Sequence, residues 1–198
     1  IARAQAAADG PAEPLALCVV GQGPTLVPTA ADGSAVGPAI TWLDRRAAEE
    51  TAAATAAIGR HGWVVGLLGR ARLLAALRPE AVERAAWLLA AWDHVAFRMT
   101  GVAAAALQEP GEAITAAEAR AAGLDERIAP PAIRSGTIVG ALLPGPAAEV
   151  GLPPGLPVVA GANDAIATFL GAGLTAPGQA IDTGGTSGGF GLYVDGPV

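Results

Sequence analysis

The stretch Pro157-Val158-Val159-Ala160-Gly161-Ala162-Asn163-Asp164 decides how this chain reads. An apolar run ends in small residues and then a carboxylate, and helix formers continue from Ala165 to Ala172. A strand passing into a helix start fixes the backbone, and the small residues leave room for a ligand. Asp164 then projects at the strand's carboxyl end, where open α/β sheets place their ligands. The bland alternative is that Asp164 caps a helix beginning at Ala165 by accepting its unpaired amides. From pattern alone the cap is favoured, because caps outnumber catalytic residues.

Working outward, the C-terminal third alternates strand and helix. A strand is expected over Thr137 to Val139, a short helix over Pro146 to Val150, a strand over Leu156 to Ala160 and a helix over Ala165 to Ala172. Strands at Gln179 to Asp182 and Gly189 to Val194 flank the turn Thr183-Gly184-Gly185-Thr186-Ser187-Gly188. Glycines there let backbone amides converge on an anion, and the Thr186 and Ser187 hydroxyls add donors to phosphate oxygens. A ligand-free glycine hairpin fits the same letters equally well. The run also spells G-x-S-x-G around Ser187, but a nucleophile elbow needs a following helix and a downstream histidine, and His61 and His94 both lie upstream.

The opening third reads as a small sheet. Leu15 to Val20 is a short buried strand holding Cys18, Gly21-Gln22-Gly23-Pro24 is a turn, and Thr25 to Thr29 is a second strand. Asp32-Gly33 reverses the chain, and Pro38 to Leu43 suggests a further strand leading to Trp42-Leu43-Asp44-Arg45-Arg46. Gln22, Trp42, Asp44 and Arg46 offer an amide, an aromatic face, a carboxylate and a guanidinium, a mixture suited to a polyhydroxylated ligand. An amphipathic strand end, with Trp42 in the core and Asp44 paired to an arginine, accounts for them as well. The middle third is mostly helical: from Asp44 to Gly59, from Arg70 to Leu77, and from Pro79 to Met99. Ala103 to Glu112 carries no pattern and reads as a loop or a weakly ordered stretch.

Composition narrows the function classes. No lysine occurs, which removes a Walker-type phosphate loop. The net charge of −6 gives no electrostatic reason to approach nucleic acid or an anionic membrane. No stretch has the length and apolarity of a spanning helix. Cys18 is the only cysteine, so an internal disulfide is impossible, and a buried thiol in a reducing cytoplasm is expected. His61, His94 and Cys18 lack ligand spacing, so no protein metal site is expected. Trp63, Trp87 and Trp92 read as core or interface residues, and the sequence is compatible with a homo-oligomer.

Taken in order, these pieces resemble the first domain of the FGGY carbohydrate kinases, the family of xylulokinase, gluconokinase and glycerol kinase. The resemblance rests on G-Q and a turn after a strand, and on P-A-I-x-W-x-D-x-R at Pro38 to Arg46. It continues with D-x-x-x-x-R-x-T-G at Asp93 to Gly101, G-L-P-P-G-x-P-V-V-A-G-A-x-D-A at Gly151 to Ala165, and G-T-S at Gly185 to Ser187. It covers nearly the whole chain and is weakest from Ala103 to Arg127.

The resemblance implies an α/β lobe of the actin-like ATPase (ribonuclease H-like) type, a mixed sheet with flanking helices, closing with a second lobe over sugar and MgATP. On this reading residues 1–198 are part of the N-terminal, sugar-binding lobe. The first phosphate-turn strands and the C-terminal lobe are absent, so the piece alone is expected to be inactive. The family's catalytic base matches Asp164, which reverses the preference for a mere cap. Gln22, Gly23, Pro24, Trp42, Asp44 and Asn163 match the sugar side, and Gly185, Thr186 and Ser187 match the turn that meets the ATP phosphates. Gln22, Trp42 and Asp44 are therefore expected around one cleft with Asp164. The implied reaction is ATP-dependent phosphorylation of a sugar or polyol hydroxyl, a ketopentose such as xylulose foremost, with Mg2+ accompanying ATP. One departure stands out: where the family often has T-D-x-S-x-A, this chain has Val102-Ala103-Ala104-Ala105-Ala106. That loss motivates an alternative, a kinase-like sugar or nucleotide binding protein without turnover.

Overall fold

A computed structural model describes residues 13–108, 112–126, 129–184 and 189–196. The deciding stretch forms strand β7 (Pro157–Asn163), the centre of a mixed sheet in the order β1 (Leu17–Gly21), β7, β6 (Ile138–Ala141). β1 runs parallel to β7, with Gly21 opposite Asn163, while β6 is antiparallel to it. Helix α7 (Asp164–Gly171) follows β7 directly.

Gly161 explains how closely β1 and β7 approach. A Cβ at that position would lie 1.7 Å from the Val19 carbonyl oxygen, inside any real contact distance. The register shifts at the same place: between Cys18 and Val20 a single residue of β1 faces two of β7, Ala160 and Gly161, so the glycine sits in a bulge of β7.

Strand β2 (Leu26–Thr29) is buried along its whole length and needs partners on both edges. One is β3 (Trp87–Ala90), antiparallel to it; the other is a short bridge from Leu26 to Ile40. Both differ from the sequence expectation. Pro79 to Met99 is not one helix: it divides into α3 (Pro79–Arg84), β3, and α4 (Ala91–Thr100). Pairing with the buried β2 satisfies the backbone of Trp87 to Ala90, and bulky apolar side chains suit a strand, so tertiary context overrides the helix formers around it. Pro38 to Leu43 contributes only the Ile40 bridge, because Pro38 lacks an N–H and the carbonyls of Thr41 and Trp42 are taken by the Arg70 guanidinium.

Helix α1 (Ala48–Ile58) ends on Gly59 in the left-handed conformation, as its sequence predicts. Helix α2 (Trp63–Leu77) begins earlier than the sequence suggests and is buried on every side from Val64 to Ala71, so it is the centre of the larger core. Leu26, Val65, Leu74, Ala90 and Trp92 pack there. A second cluster of Ala96, Leu142, Leu152, Leu156 and Val158 joins α4 to β7 and to α6 (Pro144–Val150). Helix α4 thus contributes Trp92 to one core and Ala96 to the other.

The stretch without sequence pattern is ordered in part. Strand β4 (Ala105–Leu107) pairs in parallel with β5 (Ala132–Arg134), and between them lies α5 (Ala116–Ala121), whose Thr115 and Glu118 form a reciprocal capping box. Beyond α7, β8 (Ala180–Asp182) and β9 (Phe190–Leu192) make an antiparallel pair. Cys18 is exposed, not buried as expected, because β1 is an edge strand of its sheet among the described residues and its side chains alternate toward solvent. No helix among the described residues is long and apolar enough to cross a membrane.

Candidate active site

Two adjacent parallel strands end side by side at one edge of the sheet. β1 runs out into Gln22, Gly23 and Pro24, and β7 runs out into Asn163 and Asp164. The floor between them is Trp92, 1% exposed. A Cβ on Gly23 would meet the Trp92 ring at 2.8 and 2.9 Å and the Asn163 Cβ at 3.4 Å, so only glycine lets the turn lie on the indole and against β7. The sequence marks Trp92 as core or interface, and the structure adds that it supports the turn. Its Nε1 is buried with no acceptor among the described residues.

Gln22 and Trp42, distant in sequence, meet: Trp42 Nε1 donates to Gln22 Oε1 at 2.9 Å. The Trp42 main chain is fixed from both sides. Its N–H donates to Thr25 Oγ1 at 3.3 Å, and its carbonyl accepts from Arg70 Nη2 at 2.8 Å. Arg70, 7% exposed, also donates to the carbonyls of Thr41 at 3.1 Å and Gly66 at 2.8 Å. A planar guanidinium can span three carbonyls in this way; an ammonium group cannot match the fork. Sequence reading did not single out Arg70, since nothing about an arginine in a helix reveals what its far end reaches.

Asp44 is turned toward its own neighbour. It caps the 3₁₀ turn Arg45–Ala47 by accepting from the Arg46 N–H at 3.1 Å, and it accepts from Arg46 Nη2 at 2.6 Å and Nε at 3.0 Å. Hydrogen bonds from the Arg46 side chain hold its carboxyl down at about 2, so it is ionised throughout the physiological range.

At the start of α7 the cap is Asn163, not Asp164. Asn163 Oδ1 accepts from the Ile166 N–H at 2.9 Å, while its Nδ2 donates to Gln108 Oε1 at 2.8 Å. Asp164 is the first helical residue, is exposed, and accepts from the Ala165 N–H at 3.0 Å. Relieved of capping, its carboxylate faces solvent beside the positive end of a helix. The structure therefore brings together Gln22 with Trp42, and Gly23 with Asn163 next to Asp164. Gly185, Thr186 and Ser187 lie outside the described residues.

The D-x-x-x-x-R-x-T-G motif has a structural part of its own. Asp93 is 6% exposed and accepts from the Ala106 N–H at 3.1 Å, tying α4 to β4. Burial pushes its carboxyl up to about 8. Thr100 and Gly101 end the helix, Gly101 with φ 73° and Thr100 Oγ1 accepting from the Val102 N–H at 3.1 Å. Between the ordinary carboxyl range and about 8, the folded protein holds a proton on Asp93 that the unfolded chain has released. Asp93 therefore makes stability fall as pH rises through that window. Asp93→Asn keeps an oxygen for the Ala106 N–H and cannot titrate. Melting temperatures taken from pH 5 to pH 8 should show wild type losing ground steadily to the variant; parallel curves would mean that Asp93 is ionised throughout.

Comparison with known proteins follows the same outline. No protein-family profile matches the chain. Xylulose kinase of Bacillus subtilis (strain 168) is 34% identical over 119 residues, which are 56% of this chain and 24% of that protein. Among solved structures, xylulose kinase from Rhodospirillum rubrum superposes with a TM-score of 0.76 at 24% identity, covering 91% of this chain and 41% of its own. A ligand-bound xylulose kinase from Lactobacillus acidophilus gives 0.70 at 14% identity over 85% of this chain and 38% of its own. A carbohydrate kinase from Novosphingobium aromaticivorans gives 0.61 at 26% identity over 83% and 38%. The chain thus spans about a quarter of the curated relative and about two fifths of the solved ones. The similarity to xylulose and carbohydrate kinases read from the motifs is borne out, and the fold is theirs, the α/β architecture of the actin-like ATPases.

Proposed function

We infer that the protein to which this chain belongs phosphorylates a hydroxyl of a sugar or polyol at the expense of ATP, a ketopentose such as xylulose foremost. Residues 1–198 would supply part of its sugar-binding lobe. The observation that carries this reading is the placement of Gln22 to Pro24 beside Asn163 and Asp164, at the ends of adjacent parallel strands, on a fold shared with xylulose kinases.

In this mechanism Gln22, Gly23, Pro24, Trp42, Asp44 and Asn163 hold the sugar, with the Trp42 ring and the Gln22 amide presented by the contacts described above. Asp164 takes the proton from the attacking hydroxyl as its oxygen bonds to the γ-phosphorus and the bond to the ADP oxygen breaks. Phosphoryl transfer asks mainly for positioning and charge stabilisation, so this sparse set is chemically sufficient. Gly185, Thr186 and Ser187 are assigned to the ATP phosphates. Mg2+ would neutralise charge on those phosphates. An ion held mainly by phosphates and water asks for only one or two carboxylates of the protein. We place the protein in the cytoplasm, where the exposed Cys18 thiol stays reduced.

The test is sugar-dependent ADP release by the full-length protein against a panel of ketopentoses, gluconate and glycerol. The highest kcat/KM is expected for a ketopentose, and the absence of stimulation by any sugar would overturn the reading. The alternative, binding without turnover, is motivated by Val102 to Ala106, which carries neither carboxylate nor hydroxyl. Calorimetric sugar binding with no ADP release would favour it.

A further inference from the structure

Gln108 lies just past β4, in the stretch whose sequence has least to say, yet its side chain reaches the candidate site. Its Oε1 accepts from Asn163 Nδ2 at 2.8 Å, across the gap between the β4–β5 pair and the sheet containing β7. Its main chain is anchored as well: the Gln108 N–H donates to Glu112 Oε2 at 2.7 Å, and Glu112 Oε1 accepts from Trp63 Nε1. Asn163 in turn spends its own oxygen on the Ile166 N–H, so the orientation of its amide is determined at both ends.

This arrangement is not one that local stability selects. With its oxygen committed to Asn163, Gln108 leaves Nε2 buried without an acceptor among the described residues. An unpartnered buried donor costs stability, and an apolar side chain of the same length would avoid the cost. What glutamine supplies here, and an apolar side chain would not, is the acceptor for Asn163, the residue immediately before Asp164.

We propose that Gln108 is a positioning residue for phosphoryl transfer: by holding the Asn163 amide it fixes the first turn of α7 and thereby the direction of the Asp164 carboxylate. The proposal rests on the reading of Asp164 as the base. Gln108 would contact neither sugar nor ATP and acts through Asn163, so its main effect falls on the chemical step, with a smaller effect on sugar KM through the Asn163 amide.

The experiment compares full-length wild type, Gln108→Met, Gln108→Glu and Asp164→Asn by sugar-dependent ADP release and thermal melting. Methionine keeps the length, removes the acceptor and removes the unpartnered donor. It should melt no lower than wild type while kcat falls about 10-fold or more and the sugar KM rises by a smaller factor. Glutamate restores an acceptor for the Asn163 N–H and should recover most of kcat. A merely structural Gln108 would change melting and leave kcat per folded molecule alone. If Asp164→Asn is inactive while Gln108→Met turns over normally, or changes only KM, the positioning role is wrong and the base survives. If Asp164→Asn turns over normally, the reading of the base fails and this proposal fails with it.

Discussion

Asp164→Asn in the full-length protein should fold and bind sugar as wild type does and turn over about 10² to 10⁴ times more slowly, the usual worth of a general base. The separation of the two effects follows from the start of α7. The helix is capped by Asn163, whose oxygen accepts the Ile166 N–H, so the cap is untouched by the substitution. Asp164 itself is exposed, and the one side-chain bond it makes among the described residues, from the Ala165 N–H, can be accepted equally by an asparagine oxygen. Nothing in the packing is disturbed; only the proton acceptor is lost. The measurements are kcat and KM from ADP release and a thermal melt of the same preparation. A variant with normal turnover per folded molecule would send the search for the base elsewhere.

The largest effect on stability is expected at Gly161. Alanine there would drive its Cβ into the Val19 carbonyl, and that atom belongs to a backbone strand that cannot rotate aside. Overpacking of this kind costs about 3 kcal/mol, and more when the obstacle is main chain. Because β1 and β7 must separate to admit the methyl group, Gly23 would also move away from Asn163. Gly161→Ala should therefore lower the urea midpoint markedly and reduce kcat in whatever fraction still folds. A midpoint equal to that of wild type would show that the two strands tolerate a wider spacing than the structure gives them.

The sequence made β7 and α7 legible because each is continuous: an apolar run, two small residues, a polar cap, then helix formers. The same was true of α1, which stops at a glycine able to take positive φ. What could not be read was anything decided by a distant partner. Trp87 to Ala90 became a strand because β2 offered a buried edge. Pro38 to Leu43 was held to a single bridge by the reach of Arg70. Asp164 and Asn163 are adjacent polar residues, either of which can cap a helix, so only geometry could assign the cap to one and free the other. The motif around Asp93 could be matched letter by letter, yet its buried bond to Ala106 depends on β4, which the alanine-rich stretch gave no reason to expect. Gln108 was hidden for the same reason.

Of the four tryptophans, Trp42 is the most exposed at 36%, whereas Trp92 is sealed and Trp63 and Trp87 are half-buried. Its indole is bonded through Nε1 to Gln22. Acrylamide in solution therefore quenches this ring ahead of the others, and a sugar seated between Gln22 and Asn163 would shield it. If the proposed sugar site is right, Trp42 would be an optical gauge of its occupancy, readable without label, nucleotide or turnover.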